Sequence, residues 1–98
     1  MFDKLYVFQA RDELMPKLKG LQHKVVEDSA KIFSATVRVK DRDVEIRLSV
    51  IHRNTVTVDI IDPFAFIRIP RKTFKKLDDF KLFMMTEFSK VIDATLKW

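Results

Sequence analysis

The sequence predicts an α+β fold: a four-stranded antiparallel meander, a C-terminal helix covering one face of it, and an N-terminal helical segment. Two observations predict this fold. Across residues 31–69, apolar and polar side chains alternate between short turn signals, which is typical of half-buried antiparallel strands. Across residues 71–97, apolar residues recur three and four positions apart, which is typical of an amphipathic helix.

Composition favours one globular domain spanning residues 1–98. This length suffices for a single hydrophobic core. Cysteine is absent, which excludes disulfides and thiolate metal sites. No apolar run is long enough to span a membrane, and residues 1–12 lack the pattern of a secretory signal. We therefore expect a cytoplasmic protein that has no membrane partner.

Residues 1–28 predict a mainly helical segment. A stripe of apolar residues at helical spacing consists of Val7, Ala10, Leu14, Leu18, Leu21 and Val25. Pro16 interrupts this stripe, so two arrangements fit the sequence. One is a kinked helix over residues 2–24, and the other is a strand at residues 5–8 followed by a helix that begins near Asp12. The first few residues are therefore open between strand and helix.

Cross-strand pairing predicts the first hairpin of the meander. A turn at Asp41-Arg42 makes one face entirely apolar, with Val39 opposite Val44, Val37 opposite Ile46, Ala35 opposite Leu48 and Phe33 opposite Val50. On the other face the same turn places Arg38 opposite Glu45. A shift by one residue would mix apolar and polar side chains on both faces, so the pattern strongly favours this pairing.

The remaining strands follow the same rule. A loop at residues 52–54, with Asn54 in the left-handed region, keeps the apolar face continuous. It places Val50 opposite Val56, Leu48 opposite Val58 and Ile46 opposite Ile60. A third turn is predicted at Asp62-Pro63. Pro70 is expected to end the last strand, because proline cannot donate to a ladder of hydrogen bonds.

The C-terminal helix is predicted over residues 71–97. Its apolar stripe consists of Phe74, Leu77, Phe80, Met84, Phe88, Val91, Ile92 and Leu96. Phe83 falls on the opposite side of the helix, so its side chain is expected to be exposed.

The sequence does not favour an enzyme. His23 and His52 lie in different predicted elements and no cysteine accompanies them, so no metal and no cofactor is predicted. A single glycine cannot supply a glycine-rich phosphate loop. The carboxylates are predicted to face basic residues across strands, which is not the arrangement of a catalytic carboxylate pair.

Basic residues concentrate where the last strand meets the helix. Most of the net charge of +5 comes from residues 68–81, where six Lys or Arg accompany Asp78 and Asp79. Four of these cations crowd the predicted start of the helix, where the macrodipole disfavours them, which indicates an anion site for phosphates. Together with the second sheet face they predict binding of single-stranded DNA or RNA. The candidate residues are Arg38, Arg47, Phe66, Arg68, Arg71, Lys72, Lys75 and Lys76.

The second sheet face also supports another hypothesis. Its apolar residues would pack either under the N-terminal segment or against a second subunit, which favours a homodimer. Alternatively, exposed aromatic residues would anchor a protein partner, as in a small inhibitor or adaptor of the phage or viral type. The candidate protein contacts are Ile51, Ile61, Phe64 and Phe83.

The junction AFIRIPRKTFKKL, preceded by antiparallel strands, resembles that of the positive-cofactor-four and Whirly type of transcriptional coactivators. The shared features are an alternating strand, a turn, and an aromatic residue three positions before a leucine, here Phe74 and Leu77. The resemblance covers residues 31–98, and the glycine-rich strand turns of that family are missing. It implies a dimer that binds single-stranded DNA on a basic sheet.

Overall fold

The computed structural model describes residues 3–52 and 54–97 and contains a five-stranded antiparallel sheet. In chain order the elements are α1 (Asp3–Leu18), β1 (His23–Asp28), β2 (Ile32–Val39), β3 (Arg42–His52), β4 (Thr55–Asp62), β5 (Ala65–Thr73), α2 (Leu77–Phe83), a π-helical turn (Met84–Phe88) and α3 (Ser89–Leu96). Each strand pairs with its neighbours in chain order. The predicted α+β class is confirmed, but the sheet has five strands where four were predicted.

Residues 3–9, which the sequence leaves open between strand and helix, belong to the continuous helix α1. Pro16 lies inside α1, in its last turn, where it cannot donate the hydrogen bond to the carbonyl of Asp12 that a regular helix would have, and the helix ends two residues later at Leu18. Gly20 follows with a φ of 88°, a left-handed conformation that glycine adopts without strain. The buried residues of α1 are Tyr6, Val7, Ala10, Leu14 and Leu18. The predicted helical stripe is therefore confirmed as far as Leu18.

β1 is the strand that the sequence pattern does not reveal. Its sequence, HKVVED, fits the end of the predicted helical segment because Val25 continues the helical stripe. It pairs instead with β2 in an antiparallel arrangement with a bulge at Val26, and all six of its residues are exposed. A strand exposed on both faces needs no alternation of apolar and polar residues, so its pattern resembles a loop.

The first hairpin keeps the predicted faces, but its strands are shifted by two residues. Val39 lies opposite Arg42, Val37 opposite Val44, Ala35 opposite Ile46 and Phe33 opposite Leu48. The turn is therefore Lys40-Asp41, with Lys40 at a φ of 55°. An even shift leaves every side chain on its own face and still pairs opposite charges, here Arg38 with Asp43. The alternation alone therefore cannot decide between the two registers.

The second hairpin has the predicted register, but the predicted loop at residues 52–54 is wrong, because His52 belongs to β3 and pairs with Thr55, and a bulge at Ile51 provides the extra residue. Val50 lies opposite Val56, Leu48 opposite Val58 and Ile46 opposite Ile60. Asn54 has a φ of 53°, in the left-handed region as predicted. The third turn lies one residue later than predicted, at Pro63-Phe64, because Asp62 pairs with Ala65.

The prediction that the last strand ends at Pro70 is wrong, because β5 continues to Thr73. Pro70 and Arg71 together lie opposite Thr57, so a bulge accommodates the proline. β5 is also an edge strand, which is where a sheet tolerates proline. Arg71 and Lys72 therefore belong to the sheet, and the first C-terminal helix begins only at Leu77.

An aromatic cluster joins the two ends of the chain over the apolar face of the sheet. Tyr6 of α1 stacks on Phe80 of α2 with ring centroids 4.2 Å apart, and Phe74 contacts Phe80 at 5.3 Å. α1 packs on β2 and β3, and the π-helical turn and α3 pack against α1. Helical residues and the apolar side chains of the strands form one continuous buried core. Both helical segments therefore lie on the same face of the sheet.

The expectation of an exposed Phe83 is wrong, because its side chain is buried against Phe74 and Phe80. The C-terminal segment is not one regular helix, since the π-helical turn directly follows α2. A π-helical turn is wider and rotates less per residue than an α-helix. The apolar residues that follow the turn therefore lie closer to the side of Phe83 than they would in a regular α-helix. A prediction that assumes one helical period along the whole segment misses this change.

Leu48 lies at the centre of the buried face, between Phe33 and Val58 on the neighbouring strands. We expect Leu48→Ala to lower the free energy of unfolding by about 2–5 kcal/mol, because it leaves a cavity between three strands. Leu82→Ala, a control at an exposed position of α2, should change it by less than about 0.5 kcal/mol. Urea denaturation measures both, and a loss below about 1 kcal/mol for Leu48→Ala would contradict the assigned core.

Candidate functional site

The face of the sheet turned away from the helices is here called the open face. The strand register places Arg68, Asp59, Arg47, Ser34 and Glu27 in one row across the sheet, and Phe66, Ile61, Glu45, Thr36 and Lys24 in the next. Within residues 3–52 and 54–97 neither helical segment covers these rows, because both pack on the apolar face. The arrangement in which the N-terminal segment covers this face is therefore wrong.

Each of the three arginines of the open face is held by a carboxylate. Arg68 donates two hydrogen bonds to Asp59, from Nε to Oδ1 at 2.7 Å and from Nη2 to Oδ2 at 3.4 Å. The other pairs are Arg47 Nη2 with Glu45 Oε2 at 2.7 Å and Arg38 Nη1 with Asp43 Oδ1 at 3.2 Å. The hydrogen bond with Asp59, and then the charge of Asp59, raise the pKa of Arg68. A phosphate bound by these arginines would have to compete with their carboxylates.

Arg47, at the centre of the open face, has a guanidinium that is only partly satisfied. The Glu45 carboxylate that binds its Nη2 also accepts the Ser34 hydroxyl at 2.8 Å. The Nε of Arg47 is buried and has no hydrogen-bond partner among the described residues. A buried donor without a partner costs about 1–3 kcal/mol. This cost disfavours the observed geometry of Arg47 relative to one in which Nε finds an acceptor.

An apolar patch lies where β4 turns into β5; this aromatic patch consists of Ile61, Phe64 and Phe66. Ile61 and Phe66 face each other across the strands and are 37% and 57% exposed, and Phe64 in the turn is 87% exposed. The guanidinium of Arg68 lies 5.4 Å from the centroid of the Phe66 ring, within reach of a cation–π contact. Contiguous exposed apolar side chains are typical of interaction sites. The patch is therefore the centre of the candidate site.

The turn that presents Phe64 is held by the buried carboxylate of Asp62. Asp62 Oδ1 accepts the backbone N–H of Phe64 at 2.8 Å, and its Oδ2 accepts Arg42 Nε at 2.5 Å. The first bond is the usual way in which an aspartate closes a turn two residues on. The second ties the turn to β3, so the position of Phe64 is set by buried hydrogen bonds rather than by the aromatic ring itself.

Three exposed cations follow the aromatic patch toward α2; these junction cations are Arg71, Lys75 and Lys76. In the described part of the chain, none of them forms an ion pair. Lys72, which was predicted to accompany them, binds Glu87 of the π-helical turn at 3.1 Å. Since Arg71 and Lys72 lie on β5, only Lys75 and Lys76 directly precede a helix. The crowding of four cations at a helix start, on which the predicted anion site rested, is therefore not present.

The predicted protein contacts do not form one surface. Ile61 and Phe64 belong to the aromatic patch, whereas Phe83 is buried in the core. Ile51 lies six residues along β3 from Glu45, the neighbour of Ile61, which is roughly 20 Å at about 3.3 Å per residue. Ile51 and Phe83 are therefore not part of the candidate site.

Sequence reasoning missed one feature of the open face, which is β1, whose Lys24 and Glu27 extend this face to the edge of the sheet. No residue pattern signalled this strand. Carboxylates do face basic residues across the strands, as predicted, but Arg38 lies opposite Asp43 rather than Glu45.

Comparison with protein families, with curated proteins and with solved structures gives no significant match to this chain. The resemblance to the positive-cofactor-four and Whirly type of coactivator is therefore not supported by a shared family or a shared solved fold. Within the described ranges, no helix is long and apolar enough to cross a membrane. The same residues contain no group of His, Asp and Glu that could hold a metal ion.

We expect Asp62→Ala to lower the free energy of unfolding by about 2–3 kcal/mol, because it removes a buried charged acceptor of two hydrogen bonds. Asp43→Ala is the matched control, since it also removes a carboxylate paired with an arginine but does so at an exposed position. It should cost less than about 1 kcal/mol. Urea denaturation compares the two variants, and equal losses would show that the turn does not depend on Asp62.

Proposed function

We propose that this chain is a non-enzymatic protein that binds single-stranded DNA or RNA along β5, from the aromatic patch to the junction cations. One observation carries the proposal. Two exposed phenylalanines lie on the open face and in its adjoining turn, one of them beside an arginine, and the edge strand leads to three cations that form no ion pair among the described residues. Aromatic rings and cations combined in this way suit a ligand that presents flat bases and a charged backbone.

Stacking favours single strands over a duplex. Phe66 projects from the open face beside Arg68, and Phe64 projects from the adjoining turn. Unpaired bases stack on such rings, and each stacked base contributes about 1–3 kcal/mol to binding in single-strand sites. In a duplex the faces of the bases are hidden within the helix, so these two rings would have nothing to stack on.

The junction cations favour a contact with the phosphate backbone. Because Pro70 and Arg71 together lie opposite Thr57, Arg71 is four pairing positions beyond Phe66, which is roughly 13 Å at about 3.3 Å per position. Lys75 and Lys76 extend the positive strip beyond the end of β5. These cations have no carboxylate partner in the described residues, so a phosphate need not displace one. Contacts of this kind supply affinity without sequence preference.

The paired cations contribute less in this proposal. A carboxylate already binds Arg38, Arg47 and Lys72. A phosphate that replaced it would exchange one anion for a similar one, so the gain in binding free energy would be small. Arg68 is also paired, but it lies against Phe66 and so adjoins a stacked base. The proposed contacts are therefore Phe64, Phe66, Arg68 and the junction cations.

The first test reverses the charge of two junction cations. Lys75→Glu with Lys76→Glu should weaken binding to a fluorescent single-stranded oligonucleotide about tenfold or more and lower the salt slope by about one to two. The matched control, Lys90→Glu with Lys97→Glu, makes the same charge change at exposed positions of the C-terminal segment. Fluorescence anisotropy over a salt series measures both. Equal losses in the two variants, or no binding by the wild type near about 100 mM salt, would refute the proposal.

The second test uses the carboxylate that neutralises Arg68. Asp59→Asn keeps the shape of the side chain but removes its charge, so Arg68 becomes available to a phosphate. We expect it to strengthen binding about threefold, whereas Arg68→Gln should weaken it by a similar factor. Opposite effects of two substitutions in one ion pair cannot arise from a loss of folding. If both variants bind more weakly, Arg68 is not a contact residue.

A second candidate function is the binding of a protein partner through the aromatic patch, as in a small inhibitor or adaptor. The observation that favours it is the nearly complete exposure of Phe64, together with the local neutralisation of the open-face arginines. Binding through aromatic anchors depends weakly on salt, whereas binding to phosphates weakens steeply. Loss of the partner in Phe64→Ala, with no loss in Lys75→Glu, would select this candidate.

A further inference from the structure

β1 is an edge strand that leaves two branched apolar side chains in solvent. All six of its residues are exposed, including Val25 at 39% and Val26 at 56%. Only one side of β1 is paired, with β2, and its other side carries free backbone groups. Open edges of this kind tend to pair with another strand.

The bulge in β1 gives this edge an unusual arrangement of charge. Lys24 lies opposite Thr36 and Glu27 opposite Ser34, so both side chains belong to the open face. In a regular strand two residues three positions apart would point to opposite faces. The extra residue at Val26 brings Lys24 and Glu27 onto the same face.

We propose that two copies of this chain pair β1 with β1 in an antiparallel arrangement, about a two-fold axis between Val25 and Val26. Lys24 then faces Glu27 of the second copy, Val25 faces Val26 of the second copy, and His23 faces Asp28 of the second copy. Each contact occurs twice because of the symmetry. The sheet continues through both copies, and the open faces of the two copies lie on the same side.

Charge complementarity selects a second copy as the occupant of this edge. Read from either end, HKVVED presents a basic residue where its antiparallel copy presents an acidic one, with two valines in the middle. Opposite charges that face each other across strands stabilise a pair, and like charges destabilise it. Pairing with an unrelated strand would not require the charge pattern of β1 to be complementary to itself in the antiparallel direction.

The Lys24–Glu27 contacts carry the specificity of this pairing. Neither residue has an ion pair within the described chain, so both are available to a second copy. Asp28 already accepts Arg11 of α1 at 3.3 Å, so its contact with His23 adds less. A single pair of strands buries less area than a standard interface, so we expect a dissociation constant in the micromolar range.

This inference is independent of the proposed nucleic-acid site. β1 and β5 form opposite edges of the sheet, so dimerisation through β1 leaves the aromatic patch and the junction cations uncovered. A variant that no longer dimerises should therefore still bind nucleic acid, and a variant that no longer binds nucleic acid should still dimerise.

Sedimentation equilibrium of the full chain tests the proposal by distinguishing the 11.6 kDa monomer from a species of twice that mass. Lys24→Glu and Glu27→Lys should each weaken the dimer about tenfold or more, because each places like charges opposite one another twice. The double variant, Lys24→Glu with Glu27→Lys, restores opposite charges and should return the dissociation constant to within about threefold of the wild type. Lys90→Glu on α3 is the control for net charge, and thermal melts check that every variant is folded.

Two outcomes would overturn the proposal. The first is a wild-type chain that stays monomeric up to about 0.5 mM, well above the expected dissociation constant. The second is a dimer in which the double variant is as weak as the single ones, because the pairing would then not join Lys24 to Glu27. Isotope-filtered NMR on a mixture of labelled and unlabelled chains should show contacts between Val25 and Val26 of different copies, and their absence in a dimer would also refute this interface.

Discussion

The architecture depends on one constraint, which is that the apolar face of the sheet requires cover from both ends of the chain. An α-helix with its side chains is about 10 Å wide and strands are about 4.8 Å apart, so one helix covers roughly two strands. α1 covers β2 and β3, and the C-terminal segment joins it through the stack of Tyr6 on Phe80. With both helical segments committed to this face, the described chain holds no element that covers the opposite one.

The open face is stable in water because its charges cancel within the chain. Its arginines pair with carboxylates on the same strand or on the adjacent one, which leaves the centre of the sheet close to neutral. The two edges differ from the centre. The β5 edge adjoins the aromatic patch and the junction cations, which form no ion pair among the described residues, whereas β1 carries exposed valines between residues of opposite charge. The features that attract a partner are therefore at the edges, where the sheet cannot satisfy them internally.

The sequence predicted most of the core but only part of the candidate site, for reasons that differ between elements. Alternation identified the buried face, and the need to keep that face continuous gave the register of β3 with β4, although a bulge at Ile51 rather than an odd-length loop provides the extra residue. The first hairpin was misplaced by two residues, because an even shift preserves both faces and Lys40 is an unexpected residue at a left-handed turn position. β1, the extension of β5 past Pro70 and the burial of Phe83 depend on bulges and a π-helical turn, which break the simple periods that a pattern can reveal.

The order of the strands has a consequence for how the chain folds. Every strand pairs only with its sequence neighbours, so the sheet closes short loops and can form hairpin by hairpin. The contact between Tyr6 and Phe80 is of the opposite kind, since it joins residues from the two ends of the chain. This topology favours a folding order in which a twisted meander forms first while its apolar face is still wet. Closure of the helical layer then completes the native state and makes unfolding cooperative.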